Sequence, residues 1–266
     1  MIKPYYETEL GKLYHGDCLE IMPELEPSID MVLADLPYGT TACKWDTIIS
    51  FEPLWEQYKR IIKDNGAIVL TASQPFTSAL VMSNVKMFKY EWIWDKGCGS
   101  NFATVKFQPF KEHENVVVFS KGKTIYNPQK IARSKYSLKC HPKGKERFMS
   151  ATKPTETNKI NKVTGKLSSD GLRSPKSIIE IKLPRGRMQS KFLHPTQKPV
   201  ALFEYLIKTY TNEGDTVLDN CAGSGTTGVA CERLNRKWIM IEKELKYVEI
   251  AAKRIEAEAS QLKLWG

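Results

Sequence analysis

An α/β fold, with a mainly parallel sheet and helices on both of its faces, is the architecture this sequence predicts. Three observations predict it. Short apolar runs alternate with amphipathic stretches of helical period over residues 12–119 and again over 200–259. A glycine-rich turn beginning at Asp219 joins an apolar run to a helical one. Between the two regular regions, over residues 121–190, periodicity dissolves into Lys, Ser, Thr, Asn, Gly and Pro, which marks an insertion, partly mobile without its partner. A chain of 266 residues suits one large α/β domain with such an insertion better than two independent domains.

Taken in order, residues 12–15 and 31–34 read as strands, the second ending abruptly in Asp35-Leu36-Pro37-Tyr38-Gly39. Over residues 51–63, Leu54, Trp55, Tyr58, Ile61 and Ile62 fall at helical spacing. Asn65-Gly66 reads as the stop, followed by a buried strand over 67–70 and a helix over 74–84. Residues 91–94 and 115–119 read as strands, an antiparallel pair by the polar stretch between them. Residues 177–181 form one short strand inside the insertion. Beyond it come a helix over 200–210, a strand over 216–218, a helix over 226–234, a strand over 238–241 and an amphipathic helix over 245–259.

Composition narrows the class. No apolar run approaches the length of a membrane span and the first residues are mixed polar and acidic, so a soluble, cytoplasmic protein is expected. The cysteines (Cys18, Cys43, Cys98, Cys140, Cys221, Cys231) contain no Cys-x-x-Cys pair, so neither a metal site nor a disulfide framework is expected, and all six are expected as reduced thiols in or near the core. His15, His113, His141 and His194 lack an evident acid–base partner and are expected to be structural. The net charge of +10 is unevenly placed: residues 121–190 hold 18 Lys and Arg against 4 Asp and Glu, leaving the rest of the chain slightly acidic. On charge alone, a polyanion-binding surface and a solvated loop are equally good readings.

Three chemically suggestive segments follow three predicted strands: Gly16-Asp17-Cys18, Asp35–Tyr38 and the turn from Asp219 to Thr227. In open α/β sheets ligands sit at the carboxyl ends of strands, so the three are expected to form one composite site. In the turn, Gly223 and Gly225 let the backbone bend and approach a ligand, and Ser224 or Thr226 can cap the next helix. The sequence has no Gly-x-x-x-x-Gly-Lys-Ser/Thr run for a nucleoside triphosphate. Glu242 after the next strand can accept from ribose hydroxyls, though alone it reads better as an exposed carboxylate at the start of a helix.

Asp35-Leu36-Pro37-Tyr38 carries the chemistry. The exocyclic nitrogen of adenine or cytosine is a poor nucleophile because its lone pair is delocalised into the ring. A site that methylates it needs acceptors on both amino hydrogens: the Asp35 carboxylate and the Leu36 carbonyl, aimed by Pro37. Tyr38 offers a flat face for an extruded base. Alone, these four residues read better as an ordinary strand-ending turn, with Asp and Pro as punctuation and Tyr as core.

Together the segments resemble the DNA amino-methyltransferases of the beta group. That family carries an Asp/Ser/Asn-Pro-Pro-Tyr/Phe tetrad, then a target recognition region, then a Phe-x-Gly-x-Gly cofactor turn. His194-Pro195-Thr196-Gln197-Lys198-Pro199 is similar to the family's segment at the methionine end of the cofactor, and Gly16-Asp17-Cys18-Leu19 to its acidic turn facing the adenine. The resemblance implies a Rossmann-like S-adenosylmethionine-dependent methyltransferase fold, a mostly parallel seven-stranded sheet with circularly permuted motif order. It implies a catalytic half (1–120), a target recognition insert (121–190) and a cofactor-binding half (191–266). Implied catalytic residues are Asp35, Leu36, Pro37 and Tyr38. Implied contacts to S-adenosyl-L-methionine are Asp17, Cys18, Asp35, Thr196, Lys198, Asp219, Ala222, Gly223, Ser224, Gly225, Thr226 and Glu242. Two departures stand out: Leu36 replaces the first Pro of the tetrad, and Cys221 the Phe of the turn.

The implied reaction is direct transfer of the methyl group to adenine N6 of double-stranded DNA, on a flipped base, with Arg133, Arg147, Arg173, Arg185 and Arg187 reaching guanines or phosphates. Cytosine N4 is the nearest alternative; Asp35 favours adenine because Ser in the tetrad is more typical of cytosine enzymes. Methylation of RNA or of a protein side-chain amide is a second alternative, and a catalytically silent DNA-binding module a third. A homodimer, a cognate restriction endonuclease, and a bacterial or viral origin are left open as partners and source.

Overall fold

The computed structural model describes residues 2–41, 43, 46–99, 101–132, 172–183 and 197–265. In chain order the strands are β1 (Tyr6–Glu7), β2 (Gly11–His15), β3 (Ile29–Asp35), β4 (Ile62–Ala72), β5 (Phe88–Asp95) and β6 (His113–Phe119). They continue with β7 (Ile131–Ala132), β8 (Leu172–Arg173), β9 (Ile178–Glu180), β10 (Thr216–Asp219) and β11 (Lys237–Glu242). The helices are α1 (Cys18–Ile21), α2 (Phe51–Ile61), α3 (Phe76–Ser83), α4 (Val200–Tyr210), α5 (Thr226–Leu234) and α6 (Leu245–Trp265). Two compact units result: Met1–Asn127 with Ser177–Gly266, and Pro128–Lys176. In the smaller one, β7 and β8 pair antiparallel.

The larger unit is built on a sheet of order β1-β2-β11-β10-β3-β4-β6-β5-β9. The seven strands expected from the sequence are its centre, and the short β1 and β9 extend the two edges. Pairings from β2 through β4 are parallel, whereas β6 runs antiparallel to both β4 and β5. The short strand foreseen around Ser177 is β9, lying parallel to β5.

Period-2 alternation distributes the core over both faces. Met31 and Leu33 of β3, Ala67 and Val69 of β4, and Val116 and Val118 of β6 face one cluster, packed under α4, α5 and α6 through Leu206, Tyr210, Ala230, Val248 and Ile255. Val32, Ala34, Ile68, Leu70, Val117 and Phe119 face the other, under α1, α2 and α3 through Ile21, Leu54, Tyr58 and Leu80. Burial on both sides is why β3 reads as an unbroken apolar run, the signature of a central parallel strand.

Two local expectations are corrected. Asn65-Gly66 does not stop a helix: α2 ends at Ile61, β4 starts at Ile62, and the register against β3 jumps from Ile29↔Ile62 to Met31↔Ala67. The polar residues form an irregularity that the ladder absorbs. Among the cysteines, Cys18 and Cys231 are buried but Cys43 is exposed, and Cys140 lies outside the described residues. No helix among the described residues is long and apolar enough to cross a membrane.

The polypeptide changes faces between β10 and β3. From β3 it crosses through α2 to β4 on one side, and from β10 through α5 to β11 on the other. β10 and β3 are neighbours, so a crevice opens between their carboxyl ends.

Gly11 tests the packing at the opposite side of the sheet. A Cβ there would fall 2.1 Å from the buried Trp238 ring, its partner across the β2–β11 ladder. Gly11→Ala is expected to lower unfolding stability by about 1–3 kcal/mol, measured by urea denaturation.

Candidate active site

A cavity of about 720 Å³ occupies the crevice. The turn after β2 contributes Gly16, Asp17 and Cys18; the end of β3 contributes Asp35, Leu36, Pro37 and Tyr38; the turn after β10 contributes Asp219, Ala222, Gly223, Ser224 and Thr226; Glu242 ends β11. The three segments separated in sequence thus open on one space.

Asp35 is the centre of a polar cluster. Its Oδ1 accepts from the Tyr38 hydroxyl at 2.8 Å and from the Thr71 hydroxyl on β4, and its Oδ2 accepts from Lys198 Nζ at 2.7 Å. Lys198, only 7% exposed, also lies 3.5 Å from Glu114 Oε2, and Lys96 reaches the other oxygen of Glu114 at 3.2 Å. Burial alone would lower the Lys198 pKa, but the charges of Asp35 and Glu114 outweigh it and raise it. Burial, together with the charges of Asp35 and Glu114, holds the Tyr38 hydroxyl well above its ordinary pKa, so it stays a donor. Its ring stacks on Phe76 at 5.2 Å, and Lys198 Nζ lies 5.6 Å from the ring centre. The Leu36 side chain is buried in the core, a place that does not require proline. Asp46 fastens the following loop by accepting from the backbone N–H groups of Gly39, Thr40 and Thr41 at 2.7–2.9 Å.

The glycine turn is fixed from below. Gly223 and Gly225 have positive φ (51° and 78°), and a Cβ at Gly225 would meet the Ala251 Cβ at 2.8 Å, so α6 packs against bare backbone. The expected cap is corrected: Gly225 itself is the N-cap, with no side-chain cap bond. Ser224 and Thr226 instead bond Gln197 Oε1 and the Lys198 carbonyl, tying the turn to the segment that carries Lys198. Glu242 accepts from the backbone N–H groups of Gly223 and Glu244, at 2.7 and 2.8 Å. Cys221 sits against Cys18, a hydrogen bond between the thiols raising its pKa and lowering that of Cys18. Asp17 caps α1 through Leu19 N–H and receives Lys243 Nζ at 2.9 Å.

Of the residues singled out in the sequence, Thr196, His194, Arg133, Arg147, Arg185 and Arg187 lie outside the described residues, and Arg173 is exposed on β8 of the smaller unit. Sequence reasoning missed Thr71, Asp46, Lys96 and Glu114. Glu114 carried a signal: it is a charged residue at the start of an otherwise apolar strand, opposite Trp94 on β5.

With this geometry in hand, comparison with known proteins decides the family. The family model described as DNA methylase, of the N6/N4 type, matches residues 29–253. The chain belongs to the N6/N4 DNA methylase family. The type II methyltransferase M2.DpnII of Streptococcus pneumoniae is 28% identical over 97% of this chain and 94% of its own. The crystal structure of the M1.HpyAVI–SAM complex superposes with a TM-score of 0.60 at 26% identity, covering 92% of this chain and 98% of that one. The PvuII cytosine-N4-specific methyltransferase, at 18% identity, shares the fold with a TM-score of 0.63 over 98% of this chain and 95% of its own.

This DNA methylase is an S-adenosylmethionine-dependent enzyme, and its cavity fits that cofactor. The lining carries seven carboxylates (Asp17, Asp35, Asp46, Glu114, Asp219, Glu242, Glu244) against four lysines, a field that suits a sulfonium cation. The volume lies in the range of cofactor pockets.

Burial, reinforced by the charges of Asp35 and Glu242, pushes Asp219 up to about 7, against hydrogen bonds from Thr227 and Cys221 that pull it down. A carboxyl whose pKa is raised by folding binds its proton more tightly in the native state. Its stabilising contribution is therefore complete below its unfolded pKa and lost as pH rises through the folded one. Asp219→Asn removes that dependence, so wild type is expected to lose stability relative to the variant as pH rises from about 4 to about 7. Denaturant unfolding across that range measures the effect, and a constant difference would contradict the assignment.

Proposed function

We propose that the chain methylates the N6 amino group of adenine in double-stranded DNA, at specific sites, on a base turned out of the helix. The observation that carries this reading is the Asp35 carboxylate at the end of β3, sharing one cavity with the glycine turn at the end of β10. S-adenosylmethionine, when bound, supplies an electrophilic methyl group. The turn from Asp219 to Thr226, with Glu242, Asp17 and Cys18, holds it; Thr196 and Lys198 are assigned to its methionine end.

Asp35 and the Leu36 carbonyl accept the two amino hydrogens and draw the nitrogen lone pair out of the ring for direct displacement. Pro37 aims the carbonyl, and Tyr38, backed by Phe76, is the platform for the base. For the amine to reach Asp35, one donor already on that carboxylate must yield. Lys198 can do so because Glu114 Oε2, buried and with no closer partner among the described residues, already lies 3.5 Å from it. Asp35, freed of that donor, then accepts the proton released at nitrogen.

We assign DNA recognition to the basic insert, residues 121–190, with Arg133, Arg147, Arg173, Arg185 and Arg187 as candidate contacts. Its charge supports this reading, as does its place between the two motif-bearing segments. A restriction endonuclease of the same specificity and a second copy of the chain are the partners this reading admits, in the cytoplasm of a bacterium.

Unmethylated genomic DNA treated with enzyme and cofactor, then analysed as nucleosides, is expected to contain N6-methyladenine; N4-methylcytosine in its place would overturn the base assignment. Asp35→Ala is expected to abolish transfer while leaving cofactor binding intact. DNA affinity is expected to fall steeply with salt, log K against log [salt] having a slope of about −0.9 per phosphate neutralised. A flat response would remove the insert from the interface.

A further inference from the structure

The loop between β5 and β6 leaves the sheet at Lys96 and returns at Lys111, and both residues line the cavity. Its feet are closed by the Lys96 N–H to Glu112 carbonyl bond of 2.9 Å, and Lys111 Nζ bonds the Ser73 hydroxyl after β4. The loop is therefore rooted at the cavity at both ends.

Four large apolar side chains on the loop face solvent: Phe102, Val105, Phe107 and Phe110. Phe107, at 88% exposure, is the most exposed large apolar side chain among the described residues. Slack does not explain the exposure, because the loop is fastened internally. Asn101 donates to the Pro109 carbonyl at 3.1 Å and accepts from the Lys111 N–H at 2.8 Å. Thr104 accepts from the backbone N–H groups of Phe107 and Gln108 and from the Gln108 side chain. Phe102 meets Phe110 edge-on at 4.7 Å, and the Phe110 ring packs so closely on Gly99 that a Cβ there would fall within 2.5 Å of it. The fastening consumes Phe102 and Phe110 and leaves Phe107 without a ring partner among the described residues, beside the exposed Lys106.

We infer that Phe107 is a wedge that enters the DNA stack and fills the space vacated by the target base. Turning a base out costs its stacking energy, and an aromatic ring is sequence-tolerant and can replace the lost stack because every base has a π face. Lys106, next to the ring in the chain, suits a phosphate. Both ends of the loop are rooted at the cavity that would receive the base, which is where a wedge is useful. This inference rests on the reading that the methylated base is extruded.

The test uses two duplexes containing the target site found by mapping methylated genomic DNA, one fully paired and one with the target base mispaired, so that little stacking remains to be broken. In single-turnover methylation, Phe107→Ala is expected to slow the paired duplex by about tenfold or more. On the mispaired duplex the loss is expected to stay under about threefold. Phe107→Trp is expected to restore the paired rate, and S-adenosylmethionine affinity is expected to be unchanged in both variants. Equal losses on the two duplexes, or no loss on either, would overturn the wedge. Sedimentation velocity covers the alternative occupant: if Phe107→Ala turns a dimer into a monomer, the ring belongs to an interface between copies and the wedge is excluded. The mispair is placed at whichever base is mapped, so a cytosine target would sink the adenine reading and still leave the loop's role decided.

Discussion

The parallel pairing of β3 with β10 is the contact on which the site depends. It consists of Val217 against Met31 and Leu218 against Val32, all four fully buried, and it joins the early part of the sequence to the late part. Each strand ends in an aspartate, and the side of the sheet on which the chain crosses over changes between them. Without this ladder the tetrad and the glycine turn would be two half-sites. Asp30, just ahead, helps fix the register: it accepts from the Thr216 N–H at 3.0 Å and from Lys63 at 2.6 Å. A second tie, from Lys198 to Asp35, comes from the segment preceding α4, so three separated stretches of sequence converge on one carboxylate.

Around that ladder the structure breaks ordinary folding rules in a localised way. Buried acids are ordinarily paired with a cation or neutralised, yet here carboxylates outnumber cations and Asp219 pairs with no cation among the described residues. Such concentrated local cost is characteristic of a site shaped for a ligand, with stability supplied by the two apolar layers beside it. Lys198 moderates the repulsion between Asp35 and Glu114 by pairing with both.

Much of the main unit was legible because its strands obey strong periodicities. α4 and α5 have the bounds that their apolar spacing indicated, and β3 and β11 extend theirs by only a residue or two, since both faces of each element are defined by burial. The composite cavity was legible for a topological reason, that strand-ending polar segments in such sheets converge. What failed was local chemistry without a pattern. Asn65-Gly66 looks like a terminator but is accommodated in β4, because cross-strand pairing with β3 overrides local turn preference. Ser224 and Thr226 look like caps, but their hydroxyls were recruited by Gln197 and Lys198, residues remote in sequence. Thr71, Glu114 and Lys96 are single polar residues at strand ends, and only strand pairing shows that they meet Asp35 and its lysine. The aromatic residues after Lys96 follow neither period and are scattered through a stretch that reads as polar, so no pattern singles them out.

The places where the main unit releases and recovers the chain have an evolutionary consequence. Asn127 is held to the end of α4 by its N–H to the Thr209 carbonyl, and Ser177 to β5 by its carbonyl on the Ile93 N–H. The Asn127 side-chain amide adds bonds to the Lys208 and Thr211 carbonyls and to Asn212, and neither anchor belongs to the strands bearing Asp35 or Asp219. A change within residues 128–176 therefore need not disturb the β3–β10 ladder, which takes no residue from that stretch.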